Sequence, residues 1–276
     1  MKMKFGVVLQ GKAFTPNFKD IKNIALKAED LGFDSIWASD HLMHPFSVDG
    51  KPMFYCYEAW TLMSALAAMT ESIKIGFHVL IPSFRNPSVL AKMAATLDEI
   101  SEGRLIMSLG AGWFKQEYDA YGIPWEEHDD RIERLREAIL VMKALWTQPV
   151  ATFNGKYYQI KEAVMEPKPV QKPHPPIWIG GNSQETMKLS AELADGWYSR
   201  PASPEKLKEN IDFIKNISKK GCMEYATTLE ELPSGKLDQI IEELLKYAKA
   251  GVTLITITFS KIEDLEHFAR NILSTV

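Results

Sequence analysis

Asp40 and His41 are adjacent residues whose types could do acid–base chemistry. With Ser39 before them they follow at once on Asp34–Ala38 (DSIWA), a short apolar run that reads as a buried strand. An imidazole titrates near neutrality, so His41 is the candidate acid or base. Asp40 could orient a ring or hydrogen-bond the edge of a ligand; alternatively it caps its loop while His41 packs on a rim. His44 lies three residues beyond His41, so a metal site has to be weighed. It would need further ligands from other strand ends. Only His78 and His174 are conceivable, the spacing matches no known site, and no metal is expected. His78 sits among Phe77, Val79 and Leu80, where a lone histidine is either a packed core residue or a ligand contact.

A second constellation is Pro175-Pro-Ile-Trp-Ile-Gly-Gly-Asn-Ser183. Stiff prolines lead into a buried strand, and Gly180 and Gly181 let the backbone turn and let a ligand approach closely. Asn182 or Ser183 can cap the helix that follows, whose unpaired N–H groups form an anion site. A plain strand-to-helix turn is the alternative. Gly110-Ala111-Gly112 offers a similar close approach, or simply a tight exit from a strand. Trp113, Phe114 and Tyr118 read as the core of the segment that follows, and the Asp129–Glu137 charge run as a solvated helix face. Cys56 and Cys222 have no context that suggests a nucleophile.

These residues need elements to hold them. Apolar runs predict strands at Phe5–Leu9, Asp34–Ala38, Ile73–Ile81, Arg104–Leu109, Ile177–Ile179, Gly196–Ser199, Cys222–Thr228 and Val252–Phe259. Helical spacing predicts helices at Phe18–Leu31, Glu58–Thr70, Pro87–Ile100, Arg131–Trp146, Gln184–Ala194, Pro204–Ser218, Lys236–Ala250 and Ile262–Leu273. A loop runs from Ser39 to Tyr57, Trp113–Asp130 is irregular, and Asn154-Gly155 between aromatic residues predicts a hairpin over Val150–Ile160. Eight strand–helix pairs with one insertion match an α/β fold, a (β/α)8 TIM barrel spanning residues 1–276 as a single domain, the insertion covering about 113–175. A doubly wound sheet would want a G-x-G-x-x-G after the first strand, and Gln10-Gly-Lys-Ala13 is not one. Barrel active sites lie at the C-terminal strand ends. There the chain places Gln10, Asp40, His41, His78, Arg85, Gly110 to Trp113, Gly180 to Ser183, Tyr198 to Arg200, and Phe259-Ser260. That set suits a large planar ligand with a phosphate better than a metal cage.

The net charge of −4 with interspersed signs excludes the basic footprint of a nucleic-acid binder. No run approaches the ~20 apolar residues of a membrane span, and no N-terminal signal is evident. Two cysteines fit a reducing compartment. A soluble, cytoplasmic protein acting on a small molecule is expected.

Several stretches together resemble the bacterial-luciferase-like (luciferase-like monooxygenase) superfamily. Ala28-Glu-Asp-Leu-Gly-Phe-Asp-Ser-Ile-Trp-Ala-Ser-Asp-His41 resembles its second-strand signature, most of all that of the coenzyme F420-dependent oxidoreductase branch. Arg85-Asn-Pro87 with Ala95-Thr-Leu-Asp98, Gly110-Ala-Gly-Trp113 with Glu117-Tyr118, Glu166-Pro-Lys-Pro169 with Pro175–Gly181, and Ala194-Asp-Gly-Trp197 look like later units. The likeness is close from residue 4 to about 200 and generic afterwards, with a shortened C-terminal part near Gly221–Thr228. It implies a barrel with F420, or alternatively FMN, in its mouth. It implies hydride transfer to or from a small organic substrate, and a homodimer formed through the Glu58–Thr70 and Pro87–Ile100 side. Asp40 and His41 would face the ring, with His41 the acid or base. Gly110, Ala111 and Gly112 would lie near the ring, and Gly180, Gly181 and Asn182 would hold the phosphate. A non-proline cis peptide would fall at His78–Val79, lining the ring. In the branch's sugar-phosphate and alcohol dehydrogenases a Glu stands where this chain has Trp113, and a Trp follows the Asp-His pair where this chain has His44, Pro45 and Phe46. A different substrate pocket is implied. Two alternatives remain open: an FMN-dependent monooxygenase and a non-catalytic coenzyme-binding homologue.

Overall fold

The structure is a computed structural model. It describes residues 3–9, 17–43, 46–48, 51–53, 56–229, 232, 236–259, 261–273 and 275. Gln10 to Ala13, His44, Pro45 and Ser260 lie outside the described residues. Eight parallel strands close into a barrel: β1 (Lys4–Val8), β2 (Ser35–Ala38), β3 (Lys74–Phe77), β4 (Leu105–Leu109), β5 (Ile177–Gly180), β6 (Gly196–Ser199), β7 (Glu224–Leu229) and β8 (Leu254–Thr258). Each strand pairs with its neighbours in sequence, and β1 closes on β8 with Lys4 opposite Leu254. This is the (β/α)8 barrel that the strand–helix rhythm predicts.

Helices α1 (Phe18–Asp30), α2 (Ala59–Ala67), α3 (Pro87–Ile100), α4 (Lys115–Tyr121), α5 (His128–Thr147), α6 (Gln184–Leu193), α7 (Pro204–Ile217), α8 (Leu237–Ala250) and α9 (Ile262–Phe268) are joined to the strands in turn. Their starts are written locally. Asn17, Asn86, Ser183 and Ser203 cap α1, α3, α6 and α7 by accepting from first-turn amides, and Pro87 and Pro204 open α3 and α7.

The barrel interior is filled by Val8, Trp37, Ile106, Trp178, Tyr198, Ala226 and Leu254, with Val79 packed on top. Trp37 lies 5.4 Å from Trp178 and 5.3 Å from Tyr198, ring to ring. A Cβ on Gly6 or Gly196 would come within 2.6 Å of an indole nitrogen, so these glycines make room for the tryptophans.

Four segments differ from their sequence-based expectations. The loop after β2 contains a short hairpin, Phe46–Val48 with Lys51–Met53. Strand β3 stops at Phe77 instead of running on to Ile81, and pairing resumes only as a bridge between Leu80 and Leu109; between them the His78–Val79 peptide is cis, as the family resemblance implied. The stretch expected to be irregular forms α4, ended by Gly122 in the left-handed conformation, and α5 begins three residues earlier than its apolar pattern. The last helix gives way at Ala269 to a π-helical turn ending at Leu273.

The insertion hairpin, Ala151–Asn154 with Gln159–Ala163, is pinned on α5 by one carboxylate. Glu137, 6% exposed, accepts from the amides of Lys156, Tyr157 and Tyr158 at 2.6, 2.8 and 2.9 Å. Asp98, fully buried, accepts from Gln171 and ties the proline-rich approach to β5 onto α3. Glu137→Ala would strand three amide donors and is expected to cost about 1–3 kcal/mol, read as a lower urea midpoint.

Candidate functional site

Strand β2 delivers Ser39, Asp40 and His41 to the C-terminal rim. Asp40 is 2% exposed. Its Oδ2 accepts from the Ile81 amide at 2.9 Å and Arg85 Nη1 at 2.6 Å, and its Oδ1 from Arg85 Nη2 at 2.8 Å. Arg85 Nη2 also reaches Glu58, whose carboxylate caps α2 by accepting from Trp60 and Thr61. Burial pushes Glu58 up, but Thr61 and Arg85 hold it below the usual carboxylate range. Burial pulls Arg85 down, and Asp40 and Glu58 more than reverse that. The expectation of a ligand-facing Asp40 is therefore corrected: both oxygens are taken by protein donors. Asp40 cross-links the segments after β2 and β3 to the start of α2.

His41 faces a different acid. Its Nδ1 lies 3.1 Å from Glu117 Oε2 and 3.4 Å from Oε1. Glu117 is fully buried on α4 and also accepts from the amides of Leu42 and Met43. The imidazole stands edge-on to Trp113, 5.9 Å away at 86°, and to Phe114 at 6.4 Å. Cys56 Sγ donates to the His41 carbonyl at 3.0 Å. Burial, then the charges of Glu117 and Asp40, push that thiol up to about 11.

The same rim carries an apolar wall. Val79 projects between β4 and β5, where a Cβ on Gly110 or on Gly180 would collide with its methyls. These two glycines are needed to make room for Val79. His78 stacks on Tyr198 with centroids 5.7 Å apart at 16°, and its Nε2 lies 3.4 Å from Ser39 Oγ. The Tyr198 hydroxyl is bonded to Thr228 and Thr256 inside the barrel, and burial raises it to about 12. Below the wall, Ser108 Oγ is buried without a partner among the described residues.

Gly112 has φ +79, and a Cβ there would run into the Tyr118 hydroxyl. Tyr118 is buried and bonded to Ser83 at 2.8 Å. A small cleft opens on the outer side of this turn, lined by Gly110, Ala111, Ser83, Tyr118, Arg131 and Arg134. Arg134 is paired with Glu126, whereas Arg131 Nε is buried without a partner among the described residues. Trp113 is not insertion core. It is half-exposed at the rim, with the Arg200 guanidinium 5.5 Å from its ring centroid.

The turn after β5 also needs correction. The Gly181 amide donates to the Tyr198 carbonyl at 3.1 Å, and its carbonyl accepts from Trp197 Nε1 at 2.8 Å. Asn182 Oδ1 accepts from Ser199 Oγ and the Arg200 amide. Gly181 therefore has no donor left for an anion, and the Asn182 side chain ties two rim loops together. The amides of Asn182 and Ser183, at the start of α6, have no backbone partner among the described residues.

His174 precedes β5, at the opposite end of the barrel from His41 and His78, with its Nδ1 2.8 Å from the Pro175 carbonyl. Among the described residues no three His, Cys, Asp or Glu side chains are grouped to hold a metal ion. No described helix is long and apolar enough to cross a membrane. Glu117 and the Arg131 cleft are the features that sequence reasoning missed. The one signal for Glu117 was its place in the Glu117-Tyr118 pair.

If Asp40 chiefly holds Arg85, its removal leaves a buried charge with one partner fewer. Asp40→Ala is expected to cost about 3 kcal/mol, the lower end of the range for a broken buried pair because Glu58 remains. The check is the denaturant midpoint with no coenzyme added.

Known proteins place this geometry in a family. Residues 3–228 match the luciferase-like monooxygenase family. An F420-dependent glucose-6-phosphate dehydrogenase of Microbacterium testaceum is 35% identical over 196 residues, 71% of this chain and 56% of the relative. An FMNH(2)-dependent dimethylsulfone monooxygenase of Pseudomonas putida is 32% identical over 70% of this chain and 52% of its own length. The chain thus spans little more than half the length of these curated relatives. An F420-dependent secondary alcohol dehydrogenase, solved with an F420-acetone adduct, superposes with a TM-score of 0.85 over the whole of both chains at 22% identity; that likeness concerns the fold. The chain belongs to the luciferase-like monooxygenase family.

Proposed function

We propose that this chain is an oxidoreductase that uses F420, or alternatively FMN, and acts on a small organic substrate at the C-terminal mouth of its barrel. The observation that carries the reading is His41, held by a buried carboxylate on a rim that also bears an apolar wall, in a chain of this family. The residues present suit a flavin-type group. Val79 offers an apolar face for a planar ring, and the start of α6 offers amides to a phosphate.

A bound deazaflavin or flavin would supply the hydride acceptor or donor. The chain's own part is the proton. When a substrate C–H is lost as hydride and a C=O forms, the hydroxyl proton passes to His41; in the reverse direction His41 returns it. Trp113 and Phe114 shield one side of the imidazole from water. Asp40 acts at a distance, by fixing the rim. The dimethylsulfone monooxygenase relative favours a second reading, in which reduced FMN activates oxygen.

An anaerobic absorbance titration with each coenzyme separates these readings. Binding of F420 is expected; tight binding of FMN with none of F420 would transfer the proposal to the monooxygenase. On an identified substrate, His41→Ala is expected to lose about 10²-fold or more in turnover, and full retention would remove His41 from the chemistry. Met69, Val89 and Ile100 expose 41, 57 and 48% of their surface on the α2–α3 side. This supports the homodimer that the family resemblance implies, and light scattering is expected to give twice the chain mass.

A further inference from the structure

We infer that Glu117 is a positioning residue: it holds His41 in the Nδ1–H tautomer, so that Nε2 is the nitrogen that exchanges a proton with the substrate. The catalytic purpose of this arrangement rests on the oxidoreductase reading above. The tautomer assignment does not.

The argument starts from the carboxylate. Glu117 is fully buried, so every oxygen lone pair left unmet costs free energy. Oε1 accepts from the amides of Leu42 and Met43, which can only donate. Oε2 is met by His41 Nδ1 at 3.1 Å. An unprotonated Nδ1 would set its lone pair against a carboxylate oxygen in a site closed to water. A protonated Nδ1 makes a charge-assisted bond instead. In the neutral ring the remaining lone pair then sits on Nε2.

The surroundings hold this arrangement in place. Glu117 and Tyr121 lie four residues apart on one face of α4, and Tyr121 Oη donates to the Leu42 carbonyl at 2.9 Å. The helix therefore grips the segment His41–Met43 at several points, which fixes the ring relative to the rim. Of the other groups placed near the ring among the described residues, Asp40 is turned to Arg85, Cys56 is a thiol that donates to a carbonyl, and Trp113 and Phe114 are rings set steeply against the imidazole. None of these sets the protonation of Nδ1 as Glu117 does.

The test is Glu117→Gln. A glutamine has one acceptor oxygen and one donor NH₂. If the oxygen stays with the two amides, the NH₂ faces Nδ1, which must then accept, and the proton moves to Nε2. Long-range ¹H–¹⁵N correlation spectra of ¹⁵N-histidine-labelled protein at about pH 8, above the ordinary imidazole range, read the two nitrogens directly. The His41 signals are assigned by their loss in His41→Ala. The wild type is expected to show protonated Nδ1 and unprotonated Nε2, Glu117→Gln the reverse, and Glu117→Asp the wild-type pattern. Turnover of an identified substrate is expected to fall about 10²–10⁴-fold in Glu117→Gln, with KM changed little. An Nε2–H or doubly protonated pattern in the wild type overturns the assignment, even if Glu117→Gln does not fold. So does an unchanged pattern in a folded Glu117→Gln. A swapped tautomer in a protein that binds neither F420 nor FMN overturns the catalytic purpose and the oxidoreductase reading, and leaves the tautomer assignment standing.

Discussion

A carboxylate closed off from water organises the mouth of this barrel. Glu117 cannot be buried unless donors come to it, because an unpaired charge in the interior costs several kcal/mol. The donors that come are an imidazole and two successive amides from the segment after β2. Helix α4, which has only seven residues, is thereby locked to the other side of the rim, and His41 acquires one orientation. Asp40 works by the same rule one residue earlier, with Arg85 as its donor and Glu58 completing the network. Two adjacent residues at the end of one strand thus serve two acid-centred networks, one fixing the rim and the other fixing the ring that faces the opening.

Packing inside the barrel leads to the same place. Trp37, Trp178 and Tyr198 fill the interior and leave Val79 as its uppermost apolar residue. Val79 stands there only because β4 and β5 end in glycines beside it. His78, its neighbour across the cis peptide, lies flat on Tyr198. The apolar wall is therefore continuous with the core, so its position is as firm as the core's packing. Trp113 stands half-exposed at the rim after β4, where the resemblance expected an acid in related dehydrogenases. Glu117, four residues on and buried, supplies a carboxylate next to His41 from a different place.

Much of the fold was legible because barrel strands are buried on both faces and so read as unbroken apolar runs. Trp37, Trp178 and Trp197 sit in such runs, and capping residues such as Asn86 and Ser203 marked helix starts by chemistry alone. The hairpin over Val150–Ile160 was visible in Asn154-Gly155, although its turn is longer than two residues and is organised by Glu137 from another element. The site was legible by place and not by role. Asp40 and His41 were found as polar residues at a strand end, but nothing local shows that Asp40 spends both oxygens on Arg85, 45 residues away. Gly181 looked like an anion cradle because glycine permits one, and only the pairing with Tyr198 shows its amide already used. Glu117 was hidden for the same reason. In a charged, aromatic stretch an acid reads as solvated, and its burial depends on contacts 74 to 76 residues away.

The most direct measurement is a crystal structure of the protein soaked with F420 and, separately, with FMN. Density for the ring packed on Val79, with its reactive edge toward His41 Nε2 and its phosphate at the start of α6, is the expected result. A ring lodged elsewhere, or a phosphate at α6 with the ring turned away from His41, would contradict the assignment of His41 and Glu117 to the chemistry.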